Sequence, residues 1–289
     1  MRRFLRLFMP TRNQQPEVLM RKVTEIDNLR LLLRRRGMDL RVLVADDASE
    51  ARYSTPETLR RMKDHLGEMF DITLYSENQG KTVTVIEGLK RLMKDASSDD
   101  LVGCLDDNEH DFLSALNLVD KIEQGYLGAI GTIQYPDEFL SYIDRHAMPA
   151  VGAIESEIMG LKDKLCIYAS GYWIQHIEIV KQAIVLHPKY EALFRELFPN
   201  PDIEIPKWGT PTLMQELMNW VLRNREPWSR VDDEHRRMAV SYLPCHEVPA
   251  LTPLGRATEK ALNQLRALVL NGIVLDRLLG KDRRGAIDY

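Results

Sequence analysis

The first hundred residues repeat one alternation: a short apolar run that stops abruptly in polar residues, then a longer stretch with helical spacing. Phe4–Met9, Arg41–Ala45, Ile72–Tyr75 and Leu101–Leu105 read as strands. Between them Pro16–Arg36, Thr58–Glu68 and Lys81–Lys94 read as helices, the first opening at a proline, which suits the first helical turn. Strands alternating with helices predict an α/β fold, a mostly parallel sheet covered on both faces. In such sheets ligands gather outside the carboxyl ends of the strands, so the loops that follow the strands hold the candidate chemistry. Those loops read Pro10-Thr11-Arg12-Asn13, Asp46-Asp47-Ala48-Ser49, Ser76-Glu77-Asn78-Gln79-Gly80-Lys81 and Asp106-Asp107-Asn108, which brings four polar segments to one rim.

Beyond residue 125 the alternation weakens. Strands are expected at Leu127–Ile133, near Leu165–Ala169 and at Met238–Leu243, where Pro244 ends the run. Helices are expected at Tyr172–Leu186, Tyr190–Leu197 and Pro211–Asn224, and Pro253–Leu279 reads as one long terminal helix. The reading divides the chain into residues 1–135, residues 136–252 integrated with the same sheet, and a C-terminal helix over 253–289. Apolar residues at helical spacing in that last helix would pack on the domain, and the same face is compatible with a homodimer.

The chain has 289 residues, and folding at this length buries roughly 75% of the unfolded surface, so a core forms without staples. A formal net charge of −4 gives no electrostatic reason to expect nucleic acid as the main partner. Cys104, Cys166 and Cys245 are odd in number and lack paired metal-ligand spacing, so they read as reduced core residues of a cytoplasmic protein. The apolar N-terminal stretch is broken by Arg6 and ended by Pro10, too short for a signal peptide. No segment reaches the ~18 apolar residues of a membrane span, which leaves peripheral membrane association compatible with the sequence.

Leu101–Leu105 running into Asp106, Asp107 and Asn108, with Glu109 and Asp111 just beyond, is the densest signal. Adjacent carboxylates at a strand end repel one another unless something positive sits there, and a divalent cation with oxygen ligands meets that need and in turn holds a diphosphate. The same letters also fit a strand followed by an acidic helix N-terminus. Asp46-Asp47-Ala48-Ser49 can accept hydrogen bonds from a ribose hydroxyl or a base N–H, and is equally a set of turn formers. In Asn78-Gln79-Gly80-Lys81 the glycine permits a tight strand-to-helix turn, the helix N-terminus supplies N–H groups and the lysine adds a cation for phosphate. The spacing is not that of a Walker A loop.

Strand, Asp-Asp-x-Ser, strand, Asn-x-Gly-Lys, helix, strand, Asp-Asp-Asn, in that order, resembles the nucleotide-sugar half of GT-A glycosyltransferases, above all the inverting family that includes cellulose, chitin and hyaluronan synthases and bacterial polysaccharide transferases. The resemblance covers about residues 4–135 clearly and the remainder loosely. It implies a Rossmann-like GT-A sheet and a metal-dependent hexosyltransferase taking a UDP- or GDP-sugar, with Mn²⁺ or Mg²⁺ as cofactor. By the same resemblance Thr11, Asn13, Asp46, Asp47, Asn78, Lys81 and Asp106 form the donor side, and Asp107 and Asn108 hold the metal. Asn108 stands where the commonest form of the motif has a second Asp, and contributes an oxygen without charge.

For the second half the resemblance implies that His246, after the strand ending in Leu243-Pro244, completes the metal or diphosphate site, although a lone histidine also serves structural ends. It places Ser170, Gly171, Tyr172 and Trp173 at the acceptor, an aromatic ring being able to stack on a sugar or to pack in the core. Trp208 falls beside them in Lys207-Trp208-Gly209-Thr210-Pro211-Thr212, where inverting members carry a Glu-Asp pair that supplies the base. That pair is missing here. Glu204 and Asp202, just upstream, are the candidate bases, with Glu155 or Glu157 or a retaining mechanism as the alternatives. Two further functions stay open: a sugar nucleotidyltransferase, whose Gly-rich loop is not seen in Thr11–Gln15, and a non-catalytic binding or assembly protein with the same fold.

Overall fold

The computed structural model describes residues 3–105, 107, 112–125, 128–134, 173–202, 240–247, 274 and 277–278. Every element expected in the first half forms, with ends shifted by a few residues: β1 (Arg3–Thr11), α1 (Pro16–Arg35), β2 (Met38–Asp46), α2 (Thr55–Leu66), β3 (Phe70–Leu74), α3 (Lys81–Leu92) and β4 (Leu101–Cys104). They are followed by α4 (Ala115–Glu123), β5 (Gly128–Gln134), β6 (Trp173–His176), α5 (Ile177–Leu197) and β7 (Val240–Glu247). β1 and β2 outrun their apolar runs because parallel pairing holds them together from Arg3 opposite Met38 to Thr11 opposite Asp46.

The described strands form one seven-stranded sheet in the order β3-β2-β1-β4-β6-β5-β7. β6 runs antiparallel to both its neighbours, and the remaining pairs are parallel. The carboxyl ends of β1 to β5 and β7 therefore share one rim. From β1 the chain steps outward through β2 to β3, then returns to place β4 on the other side of β1, so the order reverses between β1 and β4.

Alternation along the strands divides the core into two apolar layers. On one face Leu5, Leu7, Met9, Val42 and Val44 pack with Leu19, Val23, Ile26 and Leu29 of α1, Leu59 and Met62 of α2, and Leu118 and Val119 of α4. On the other face Phe8, Leu43 and Ala45 pack with Val85 and Leu89 of α3 and with Ile177, Val180, Ile184, Tyr190 and Phe194 of α5. α3 lies on β1 so closely that a Cβ added at Gly88 would stand 2.0 Å from the Phe8 ring.

At the opposite end of the sheet the guanidinium of Arg6, 2% exposed, donates through Nε to Asp100 Oδ2 at 2.8 Å and through Nη1 to Asp95 Oδ1 and the Leu92 carbonyl, both at 2.9 Å. Phe4 N donates to the other oxygen of Asp100 at 2.9 Å, so this buried aspartate is satisfied on both sides.

Three expectations for the second half need correction. Trp173–His176 is a strand where a helix from Tyr172 was expected, because these residues fill the slot between β4 and β5 and pair with both. Tyr190–Leu197 is not a separate helix: α5 runs unbroken through Pro188. An internal proline costs about 3 kcal/mol, and each of Ile177, Val180, Ile184, Tyr190 and Phe194 recovers roughly 1.5–3 kcal/mol by burial, so packing outweighs the break. Pro244 does not end the last strand, which continues to Glu247. Among the described strands β7 lies at the sheet edge, where a proline removes no essential ladder bond, and a register shift between Thr132 and Ile133 of β5 skips Cys245. Leu165–Ala169 and Pro211–Asn224 lie outside the described residues, as does all of Pro253–Leu279 except Val274, Arg277 and Leu278, which are helical.

Candidate active site

The strand order reverses between β1 and β4, and in sheets of this kind ligands bind outside the carboxyl ends of the strands at such a point. The end of β1 and the loop after β4 are joined there. Thr11 closes β1 and its Oγ1 donates to Asp107 Oδ2 at 2.6 Å, the aspartate standing three residues after β4. Both are buried, at 3% and 5% exposure. The short distance suits a hydroxyl donating to a carboxylate. Leu105 N donates to the Phe8 carbonyl at 2.8 Å, extending the β1–β4 ladder toward this contact.

The loop after β2 is tied to the same point. Asp47 N donates to the Thr11 carbonyl at 2.9 Å, while its carboxylate turns to the β3–α3 loop and accepts the N–H of Gln79 at 2.6 Å and of Gly80 at 3.0 Å. Gly80, at φ +81°, adopts the left-handed conformation that this turn into α3 requires and that a side chain would resist. Asn78 Oδ1 accepts the same Gly80 N–H at 2.9 Å, and Lys81 is the first residue of α3.

Asp46 is 1% exposed, and its carboxylate binds the hydroxyl of Ser49 and, at 3.3 Å, the Ser49 N–H. Burial pushes its pKa above the ordinary value of 3.8; the Ser49 hydrogen bonds and Arg12 oppose that, while Asp47 adds to it. Ser49 Oγ in turn accepts Asn13 N at 2.7 Å. The Asn13 side chain donates to Glu50 Oε1 at 3.1 Å and accepts Glu50 N at 2.8 Å, so the loops after β1 and β2 are stitched side chain to backbone.

The structure thus brings Thr11, Asn13, Asp46, Asp47, Asn78, Lys81 and Asp107 to one rim. Asp106 and Asn108 lie outside the described residues. His246 is the penultimate residue of β7, at that rim but three strand intervals from β4, roughly 14 Å at ordinary strand spacing. Trp173 pairs with Cys104 where β6 starts at the rim, yet it is fully buried in the α3–α5 core, so its ring offers no open face for a sugar. Ser170, Gly171, Tyr172 and Trp208 are outside the described residues. Asp202 is exposed on the turn after α5, its N–H donating to Asn200 Oδ1 at 3.0 Å, and Glu204 is outside the described residues.

Carboxylate and hydroxyl oxygens are the donors that a hard divalent cation takes, and Asp107, oriented by Thr11, supplies that chemistry at the order reversal. Among the described residues no group of three or more His, Cys, Asp and Glu side chains gathers as a metal site. Also among the described residues, no helix is long and apolar enough to cross a membrane.

In overall structure the chain is similar to mannosyl-3-phosphoglycerate synthase from Rubrobacter xylanophilus, with a TM-score of 0.52 at 16% identity over 99% of this chain and 78% of that one. The chain has the GT-A fold. The chain is also similar to a crystallised mycobacterial protein, with a TM-score of 0.50 at 13% identity over 98% of this chain and 77% of that one. No protein-family model matches the chain, and no curated protein matches it in sequence. The GT-A fold accounts for the central mostly parallel sheet and for the order reversal between β1 and β4. What sequence reading missed is the web among the rim residues: Thr11 with Asp107, and Asp47 with Gln79 and Gly80, pairs far apart in the chain that only strand order brings together.

Proposed function

We propose that the chain is a metal-dependent glycosyltransferase that takes a sugar from a nucleotide-diphosphate donor at the order reversal between β1 and β4 and passes it to an acceptor hydroxyl. The observation that carries this reading is the Thr11–Asp107 hydrogen bond, a buried carboxylate oriented across the order reversal of a GT-A sheet. The synthase from Rubrobacter xylanophilus to which the fold is similar is named for making mannosyl-3-phosphoglycerate, which supports this reading.

In this reading residues 1–135 bind the donor and residues 136–252 the acceptor within one domain, followed by the C-terminal helix. Asp107, with Asn108, would hold Mn²⁺ or Mg²⁺, which when bound supplies charge to stabilise the departing diphosphate. Lys81 brings a cation to the same rim at the start of α3, where helix N–H groups also favour a phosphate. Asp106 precedes the metal carboxylate and would face the ribose. Ser170–Tyr172 directly precede β6, which starts at the rim, and this favours them for the acceptor. Inversion is suggested by the sequence resemblance alone; it needs a general base, for which Glu204 and Asp202 are the candidates. The proposed setting is cytoplasmic.

Titration calorimetry of UDP and GDP with and without Mn²⁺, together with donor hydrolysis by wild type and Asp107→Ala, tests the assignment. Binding of one nucleotide that needs the metal, and a fall of about 10²-fold or more in hydrolysis by Asp107→Ala, are expected. Binding without turnover in the presence of varied acceptors would instead favour a non-catalytic GT-A protein. Hydrolysis by Asp107→Ala at the wild-type rate would remove the metal role from this residue. The anomeric configuration of the product, read by proton NMR, decides between inversion and retention.

A further inference from the structure

α1 buries a lysine. Lys22, 4% exposed, lies on the helix face that carries Leu19, Val23 and Ile26 into the core. Its ammonium stands 5.9 Å from the centroid of the fully buried Phe112 ring, and one turn along α1 Glu25 Oε2 accepts the Phe112 N–H at 3.1 Å. A lysine is hardly ever buried unless negative charge or acceptors offset its own charge. The ring face supplies part of that offset. The adjoining sequence is rich in the rest: Asp106, Asp107, Glu109 and Asp111 all fall within six residues of Phe112, and Asp111 is its neighbour.

We propose that Lys22 is a positioning residue, the chain's own counter-charge to the acidic segment that carries Asp107, and that it opposes the divalent ion at that aspartate. This rests on the metal reading of Asp107 and adds a residue from outside the strand-end loops. Leu105 and Phe112, which bracket the segment, are planted in one apolar layer, the first by its N–H on the Phe8 carbonyl and the second by Glu25. Asp107 and Phe112 are five residues apart, at most about 18 Å even at full extension. Like charges confined to so short a span repel, and a buried cation at one end relieves that repulsion with little screening by salt. An ion bound at Asp107 relieves the same repulsion. Each cation therefore leaves less for the other to gain, a coupling that works equally in both directions, and Lys22 lowers the affinity of the ion.

Mn²⁺ binding to the full chain, followed by the free-ion EPR signal, reads this opposition. Lys22→Met removes the charge and keeps an apolar stem of similar length, and is expected to tighten Mn²⁺ binding by about three- to tenfold. Lys22→Gln does the same with a polar tip, should the methionine variant fold poorly, and Lys22→Arg keeps the charge and should stay near wild type. Phe112→Leu loosens the same packing without changing any charge, so its Mn²⁺ affinity should be unchanged or weaker. The urea midpoint gives a second reading: a fixed free Mn²⁺ concentration should raise it more in Lys22→Met than in wild type. Without metal, a double-mutant cycle isolates the coupling. The midpoint change caused by Lys22→Met should be less adverse in Asp107→Asn than in wild type, because one of the repelling charges is gone.

Mn²⁺ affinity that stays the same or falls in the uncharged Lys22 variants overturns the opposition, and so does an equal rise in Phe112→Leu, which traces the effect to packing. Equal midpoint changes in the two backgrounds overturn the counter-charge. If the wild type binds no Mn²⁺, the metal reading of Asp107 fails, and the metal-free cycle still decides whether Lys22 serves this segment.

Discussion

The two ends of the sheet hold carboxylates in opposite ways. At the amino end Asp100, 1% exposed, meets the guanidinium of Arg6, and the largely exposed Asp95 meets both Arg6 and Arg41. At the carboxyl rim Asp46 and Asp47 are held by a serine hydroxyl and backbone N–H groups, and Asp107 accepts the Thr11 hydroxyl. Arg12 acts on Asp46 only as the smallest of its influences. A buried ion pair completes its charge within the chain; carboxylates held by neutral donors keep theirs, and can orient it toward a cation from outside. The amino end pairs its charge with arginine, whereas the hydrogen bonds described for Asp46 and Asp47 come from neutral donors.

The largest effect that would break this contrast lies at Arg6. Arg6→Met leaves Asp100 buried without its cation and should cost about 3–5 kcal/mol in urea denaturation. Donor hydrolysis per folded molecule should not change, because the site lies at the other end of β1. Arg6→Met combined with Asp100→Asn should recover part of the stability, since no uncompensated charge then remains. If Arg6→Met is neutral, the ion pair adds nothing and the contrast between the ends loses its energetic content.

Gly88→Ala serves as an uncharged control between the two ends. Its Cβ would stand 2.0 Å from the Phe8 ring inside a packed layer, so overpacking of about 1–3 kcal/mol is expected, insensitive to pH and salt. A cost that varies with salt would mean that α3 moves enough to disturb the rim.

The first half of the fold was legible because each element carried a local signal: apolar runs of strand length, a proline at the start of α1, a glycine before α3. Their ends were misjudged where pairing rather than composition sets the limit, as at Met38–Leu40 of β2. β6 was not legible. Trp173, Ile174, Ile177, Val180 and Ile184 fit helical spacing over a short window, and only the vacant slot between β4 and β5 makes Trp173–His176 a strand. The rim residues could be named from strand ends alone, yet their partners could not. Trp173 shows the same limit from the other side: an aromatic beside a turn suggests a sugar platform, and strand pairing turns it into the core.

The smallest expected effect compares the ends by pH. Burial raises the folded pKa of Asp46 above the ordinary 3.8. The folded state then holds its proton longer than the unfolded state, so Asp46 lowers stability as pH rises from 3.8 through the raised value, and the full cost persists above it. Asp95 has the opposite sign. Slight burial would raise its pKa, but the hydrogen bonds and charges of Arg6 and Arg41 hold it below 3.8, so its contribution is present above 3.8 and is lost as pH falls through the lowered value. Urea midpoints across the acid range should therefore show Asp46→Asn flattening the limb above pH 3.8 and Asp95→Asn flattening the limb below it. Asp95 is largely exposed, so salt should shrink its share first. Were both variants to flatten the same limb, the two ends would not differ in how they carry charge, and the case for an external cation at the rim would rest on Asp107 alone.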